Sequence, residues 1–183
     1  MAKQYTIGID VDDVTLDFVG ILLEVYNSEW GDNLIVDDIT EWDLTKFVKP
    51  ECGTKICNYF EDHNLYWAIN PIDNAIAGIK FLRLLGHRVV FITHSSLGSS
   101  GAKYKKLKEL GILDDANDYI EAKDKTLVKF DFIIDDKPKT ISDYKLGVPV
   151  VFTRPWNKDM NHQPRVNSWL EIVDLFRIMA EKE

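Results

Sequence analysis

A short apolar strand that ends in acidic residues opens the chain. Tyr5, Ile7 and Ile9 alternate with smaller or polar residues, which predicts a β-strand, and Asp10 and Asp12 follow at its end. Alternation places these two carboxylates on the same side, where they repel each other unless a cation lies between them. Taken alone, the pattern fits a solvated acidic turn as well as a ligand site, so the later strands decide between the two.

From residue 71 onward, strands alternate with helices. Continuous apolar runs, typical of strands that a parallel sheet buries on both faces, occupy 88–93, 130–134 and 148–152. The helical segments before, between and after them are predicted at 71–86, 99–110, 138–146 and 168–183. This order predicts an α/β fold with a Rossmann-like parallel sheet. The strand at 148–152 is expected to be the last one. Trp156, Asn157 or Arg165 in the following loop could close over a ligand site, but packing at the surface is the favoured expectation.

No strand is predicted between residues 14 and 71. Apolar residues at helical spacing predict a helix over 14–30 that ends at Gly31, and short helices are expected over 37–65. We therefore predict a helical cap, residues 15–70, inserted after the first strand. The α/β core would consist of residues 1–14 and 71–183.

The net charge and the lengths of the apolar runs argue against two kinds of partner, nucleic-acid polymers and membranes. A formal net charge of -8 argues against a nucleic-acid polymer, because no basic field offsets it. No apolar run approaches the ~18 residues of a membrane span, so we expect no membrane partner and a cytoplasmic location. Cys52 and Cys57 match no zinc motif and are predicted to be free thiols on a helix.

The later strands also end in reactive residues. Thr93 ends the strand at 88–93, and Asp135 and Asp136 end the strand at 130–134. In a parallel sheet these ends meet the end of the first strand, with Asp10 and Asp12, at one edge. Their joint occurrence in this order favours a ligand site over a set of unrelated turns.

These residue types suit phosphoryl transfer. Asp10 would be the nucleophile that forms an aspartyl-phosphate, and Asp12 the general acid and base. Mg²⁺ held by Asp10 and the later pair of acids would offset the charge of the carboxylates and the phosphate. The Thr93 hydroxyl and the Lys125 ammonium would bind the phosphoryl oxygens.

The order of the motifs resembles that of the haloacid dehalogenase (HAD) superfamily of phosphatases, and within it the 5'(3')-deoxyribonucleotidase family. The segment DVDDVTLDF matches the family's DMDGVLADF-like segment. The segment DKTLVKFDFIIDDKP is similar to its Asp-Lys-Thr and Ile-Asp-Asp stretches at the same internal spacing. The resemblance implies a HAD-like core, Mg²⁺ as cofactor and the hydrolysis of nucleoside monophosphates, above all deoxyribonucleotides.

The resemblance also implies residue roles. Asp10 becomes the nucleophile, and Asp12 the acid/base that also gives the metal a backbone carbonyl. Lys125 becomes the phosphate-binding lysine. Asp136 becomes a metal ligand by spacing, with Asp135 beside it as the second choice.

Two positions depart from the family's pattern. Asp13 replaces the glycine that usually follows the second aspartate, which adds negative charge near the metal. In the second motif, alignment on Thr93 puts His94 where a serine is expected, whereas a shift of two residues would make Ser95 the phosphate hydroxyl. We favour Thr93 because it directly ends the apolar run, and we keep His94 and Ser95 as phosphate-binding candidates.

Aromatic residues of the predicted cap are candidates for substrate binding. The family's cap aromatics stack on a base, a contact that contributes ~1–3 kcal/mol per base. Phe18 follows the catalytic loop at the family's spacing, and Trp42 and Trp67 are further candidates. The alternative is that such residues pack the cap's own small core.

Other functions stay open on the sequence. A HAD phosphatase could act on another small phosphate ester such as a sugar phosphate, and a non-catalytic phosphate-binding module could retain the fold. A receiver-like domain also joins strand-end acids to Thr and Lys, but the insertion after the first strand and the DxD spacing argue against it. The resemblance implies a homodimer as an option, for which the residues give no physical argument.

Overall fold

A six-stranded parallel sheet forms the centre of the protein. The computed structural model describes residues 3–181, and its strand order is β3-β2-β1-β4-β5-β6. The strands are β1 (Thr6–Ile9), β2 (Arg88–Thr93), β3 (Tyr119–Glu121), β4 (Phe132–Asp135), β5 (Val148–Phe152) and β6 (Arg165–Val166). The predicted Rossmann-like parallel sheet is confirmed.

Strand β6 was not predicted, and the expectation that β5 is the last strand was wrong. Arg165 and Val166 pair in parallel with Val151 and Phe152 of β5. A strand of two residues is too short to produce an apolar run, so the sequence gives no signal for it.

Strand β1 lies between β2 and β4, at the centre of the sheet. Gly8 in β1 permits close packing, because a Cβ at this position would lie 2.6 Å from the Phe130 ring. The strand order reverses direction beside β1, and ligands of such sheets bind at the carboxyl ends of the strands at this point. The fold thus places the end of β1 where a ligand is expected.

The helices are shorter than predicted at their ends. They are α1 (Phe18–Trp30), α2 (Leu65–Ala68), α3 (Ala75–Leu84), α4 (Ala102–Glu109), α5 (Pro138–Asp143) and α6 (Trp169–Glu181). The last two residues of the predicted closing helix, 182 and 183, and residues 1 and 2 of the predicted core lie outside the described residues. No helix among residues 3–181 is both long enough and apolar enough to cross a membrane.

The predicted cap contains mostly 3-10 turns between α1 and α2. These turns are Val36–Asp38, Leu44–Lys46 and Gly53–Glu61. Cys57 lies in the last of them and Cys52 immediately precedes it, and both are free thiols as predicted. The two ends of the predicted cap pair with each other, because Asp17 N donates to Asn70 O at 2.9 Å and Ile72 N donates to Thr15 O at 2.9 Å.

The turn after β1 shows that the helix predicted over 14–30 was wrong at its start, because α1 begins only at Phe18. Asp13 has a φ of 57°, a left-handed conformation that interrupts helical geometry and that glycine adopts most easily. Its Oδ1 accepts hydrogen bonds from Val19 N at 3.0 Å and Arg154 Nη2 at 3.1 Å. Arg154 Nη2 also donates to Asp17 Oδ1 at 3.0 Å, so one guanidinium ties the turn to the chain beyond β5.

We expect Arg154→Met to lower the free energy of unfolding by about 3 kcal/mol, because the buried Asp13 carboxylate would lose its cation. Urea unfolding followed by circular dichroism measures this. Arg177→Met is the control, since it removes only an exposed pair with Asp174 and should change stability by less than about 0.5 kcal/mol. Equal losses in the two variants would contradict the assigned role of Arg154.

Candidate active site

A cavity of about 190 Å³ opens at the carboxyl ends of β1, β2 and β4. Several residues that the sequence singled out line it: Asp10, Asp12, Phe18, Trp42, Thr93, His94, Lys125 and Asp136. Ser95, Trp67 and Asp135 are not among its lining residues. The structure therefore brings most of the candidate residues to one cavity and leaves these three outside its lining.

Lys125 links the ends of β1 and β4. Its Nζ lies 2.6 Å from Asp10 Oδ2 and 2.8 Å from Asp135 Oδ2. Burial of Lys125 disfavours its charged form, but the Asp10 and Asp135 carboxylates outweigh that effect and raise its pKa. Lys125 is consequently a fixed positive charge beside Asp10.

Three buried carboxylates surround one point near Lys125. Ligand atoms of Asp10, Asp135 and Asp136 all lie within 4.8 Å of one another. Burial, and then the Asp135 carboxylate, raise the pKa of Asp136 well above its usual range. A cluster of hard oxygen donors at this spacing fits Mg²⁺, which would offset the repulsion.

The two acids at the end of β4 differ in how many of their oxygens are engaged. Asp135 accepts from Lys125 Nζ through Oδ2 and from Lys137 N through Oδ1, both at 2.8 Å. Asp136 accepts from Trp156 Nε1 at 2.8 Å through Oδ2, and Oδ1 has no hydrogen-bond partner within the described part of the chain. Asp136 Oδ1 is therefore more available to coordinate a cation than either carboxylate oxygen of Asp135.

Asp12 has two side-chain partners that the sequence did not reveal. Lys103 Nζ lies 2.5 Å from Asp12 Oδ2, and the Tyr66 hydroxyl lies 3.2 Å from Oδ1 and 3.4 Å from Oδ2. Burial raises the pKa of Asp12, and Lys103 opposes that shift. Lys103 also donates to Thr93 Oγ1 at 3.0 Å and to His94 O at 2.6 Å.

A weak sequence signal for Lys103 exists. Lys103, Lys106 and Leu107 share one face of α4 at spacings of three and four, and all three are buried. A lysine in line with a core leucine is the only local sign that distinguishes Lys103 from the exposed lysines of the same helix. Tyr66 gives no comparable signal, because its partner is 54 positions away.

The structure distinguishes the two candidate hydroxyls of the second motif, those of Thr93 and Ser95. Thr93 is buried and lines the cavity, in accord with its predicted position at the strand end. Ser95 Oγ donates instead to Glu121 Oε1 at 3.1 Å, beyond the cavity wall. His94 lines the cavity beside Thr93.

The segment after β5 supports the site, so the expectation that it packs at the surface was wrong for Trp156 and Asn157. Both side chains are buried. Asn157 Nδ2 donates to Asp136 O at 2.7 Å, and Trp156 Nε1 donates to the Asp136 carboxylate. Arg165 is half-buried and its Nη1 donates to Asn157 Oδ1 at 3.1 Å. This segment thereby fixes the position of Asp136.

The aromatic candidates differ in exposure and position. Phe18 is buried, with its ring 5.5 Å from that of Tyr66 in a stacked arrangement. Trp42 is 51% exposed on the cavity wall, where its ring meets Trp156 edge-to-face at 6.2 Å. Trp67 is 54% exposed but lies away from the cavity. Of the exposed tryptophans among the predicted candidates, only Trp42 is placed to meet a ligand.

Comparisons with known proteins identify the family of this chain. The family model described as "5' nucleotidase, deoxy (Pyrimidine), cytosolic type C protein" matches residues 4–183. A 5'(3')-deoxyribonucleotidase from Clostridium acetobutylicum is 28% identical over 167 residues, which cover 91% of each chain.

Solved structures show the same fold at low sequence identity. A HAD family hydrolase from Deinococcus radiodurans, with bound phosphate and sodium, is 14% identical with a TM-score of 0.60, over 98% of this chain and 97% of that one. A Bacillus subtilis HAD-hydrolase bound to magnesium is 17% identical with a TM-score of 0.53, over 96% of this chain and all of that one. Because the family model matches nearly its full length, the chain belongs to the 5' nucleotidase, deoxy (Pyrimidine), cytosolic type C family.

Proposed function

We propose that the protein is a Mg²⁺-dependent phosphatase that hydrolyses nucleoside monophosphates, with deoxyribonucleotides as the favoured class. The observation that carries the proposal is the arrangement of Asp10 and Asp12 in one cavity with Lys125 and the three-carboxylate cluster. Family membership supports the reaction class. Small nucleotides are thus the proposed partners, in the cytoplasm, where free Cys52 and Cys57 suit a reducing compartment.

In the first step, an Asp10 oxygen forms a bond to phosphorus as the bond between phosphorus and the ester oxygen breaks. The electron pair of the broken bond stays on the ester oxygen, which takes a proton from Asp12. Lys125 and Thr93 stabilise the charge on the phosphoryl oxygens. The products are the nucleoside and an aspartyl-phosphate on Asp10.

In the second step, a water oxygen attacks phosphorus and the Asp12 carboxylate takes the proton of that water. The bond between phosphorus and Asp10 breaks and returns its electron pair to the carboxylate. Inorganic phosphate leaves, and Asp10 and Asp12 regain their starting states. Asp12 thus acts as the general acid in the first step and as the general base in the second.

Asp10, Asp136 and the backbone carbonyl of Asp12 are the groups that would hold Mg²⁺. The cation would supply positive charge to phosphoryl oxygens and to the carboxylate cluster. The freer oxygen of Asp136 supports it over Asp135 as the ligand. The magnesium in the Bacillus subtilis relative's structure agrees with this choice of metal.

Trp42 and Phe18 support a nucleotide over a sugar phosphate. Trp42 is half-exposed on the cavity wall, and the buried Phe18 ring lines the same cavity. Every base has a π-face that such a ring can stack on, whereas a sugar phosphate has none. A sugar phosphate is the second candidate substrate, and faster hydrolysis of a sugar phosphate than of nucleoside monophosphates would favour this alternative.

We expect Asp10→Asn to lower phosphate release from nucleoside monophosphates by at least about 10³-fold, because an amide cannot form the acyl-phosphate. A panel of nucleoside monophosphates and sugar phosphates, with Mg²⁺ or with chelator, measures this. Asp174→Asn, at an exposed position in α6, is the matched control and should retain full activity. Full activity of Asp10→Asn would refute the proposed nucleophile, and preference for sugar phosphates would refute the proposed substrate.

We expect millimolar Mg²⁺ to raise the Tm by at least about 3 °C, because a cation bound only by the folded state stabilises it. Asp136→Asn should abolish the Mg²⁺-induced shift, since it removes the carboxylate with the freer oxygen. Thermal unfolding with and without Mg²⁺ measures the shift independently of activity, with Asp174→Asn again as control. An unchanged shift in Asp136→Asn would rule out this residue as a ligand.

We expect Trp42→Ala to raise the KM for nucleoside monophosphates about tenfold, as a lost stacking contact of ~1–3 kcal/mol requires. The KM for a sugar phosphate should stay within about twofold. Trp67→Ala is the control, because this ring is equally exposed but lies off the cavity. Steady-state kinetics of both variants test the assignment, and it fails if the two variants change the KM equally.

A further inference from the structure

Tyr66 contacts the proposed acid/base but not the cavity. Its hydroxyl lies 3.2 Å from Asp12 Oδ1, whereas Tyr66 is 2% exposed and is not among the cavity's lining residues. Tyr66 belongs to α2, at the end of the predicted cap, while Asp12 follows β1. A side chain of the predicted cap thus contacts the proposed acid/base directly.

The two oxygens of Asp12 have different surroundings. Lys103 Nζ lies 2.5 Å from Oδ2, and an ammonium in this position disfavours a proton on the oxygen it faces. The Tyr66 hydroxyl, a neutral group that can donate or accept a hydrogen bond, lies 3.2 Å from Oδ1 and 3.4 Å from Oδ2, so it is slightly nearer the oxygen that Lys103 does not face. The Asp12 side chain remains 25% exposed, so a leaving oxygen in the cavity can reach it.

The ring of Tyr66 has a fixed position. It stacks against Phe18 at 5.5 Å, and Lys103 Nζ lies 5.6 Å from its centroid. These contacts involve the ring and not the hydroxyl, so replacement by phenylalanine retains them. The hydroxyl is the part of the Tyr66 side chain that contacts the proposed acid/base, Asp12.

We propose that Tyr66 is a positioning residue for the proton transfer: its hydroxyl orients Asp12 so that Oδ1, and not Oδ2, carries the proton to the leaving oxygen. The inference rests on the proposed phosphatase function. As the bond between phosphorus and the ester oxygen breaks, its electron pair stays on that oxygen and the proton moves there from Oδ1. Asp12 is left as a carboxylate with Lys103 on Oδ2 and Tyr66 on Oδ1.

The test compares leaving groups in Tyr66→Phe. An alkoxide from a nucleotide needs a proton as it leaves, whereas p-nitrophenolate leaves readily as an anion. In single-turnover experiments with enzyme in excess, we expect nucleoside release from a deoxyribonucleotide to slow about tenfold. Release of p-nitrophenolate from its phosphate ester should change by less than about twofold, and the KM for the nucleotide should change equally little.

Tyr59→Phe is the matched control, since it removes a cap hydroxyl whose hydrogen-bond partners among residues 3–181 are Glu29 and Trp30. It should leave both rates unchanged. Equal slowing of both leaving groups in Tyr66→Phe would assign the hydroxyl a structural role and overturn the inference, as would unchanged rates for both. If the wild type releases phosphate from neither substrate, the proposed function itself fails and the inference with it.

A double-mutant comparison adds a second readout. If Tyr66 acts through Asp12 alone, adding Tyr66→Phe to Asp12→Asn should change the residual rate of nucleoside release by less than about twofold. A further tenfold loss in the double variant would show that Tyr66 acts by another route and would overturn the inference.

Discussion

Compensation of buried negative charge is the constraint on which this structure depends. Asp10, Asp12, Asp13, Asp135 and Asp136 gather at one edge of the sheet, and like charges in a desolvated site are unstable without partners. Three cations offset these acids: Lys125 lies between the ends of β1 and β4, Lys103 pairs with Asp12, and Arg154 pairs with Asp13. The carboxylates still outnumber these cations, which is why the proposed Mg²⁺ fits the site.

The parts of the site that the sequence predicted are those set by local pattern. Asp10, Thr93 and Asp135 end apolar runs, and parallel strands bring such ends together whatever lies between them. Their order along the chain carried the family resemblance. The fold class followed from the same alternation of strands and helices.

The parts that the sequence did not predict depend on tertiary contacts. Lys103 looks like one of several surface lysines until α4 docks beside Asp12, and Trp156 looks like a loop residue until β6 fixes the loop beneath Asp136. The sequence singled out Phe18 but did not distinguish Trp42 from Trp67. Only the path of the 3-10 turns separates Trp42, on the cavity, from Trp67, off it.

The separation of these partners along the chain has a consequence for folding. Asp12 and Lys103 are 91 positions apart, and Asp13 and Arg154 are 141 apart. Because a chain is synthesised from its N-terminus, these acids are made before the cations that offset them. The two ion pairs therefore cannot form until α4 and the segment after β5 have been made, and closing such long loops costs entropy. Charge compensation at this edge of the sheet depends in this way on segments far along the chain.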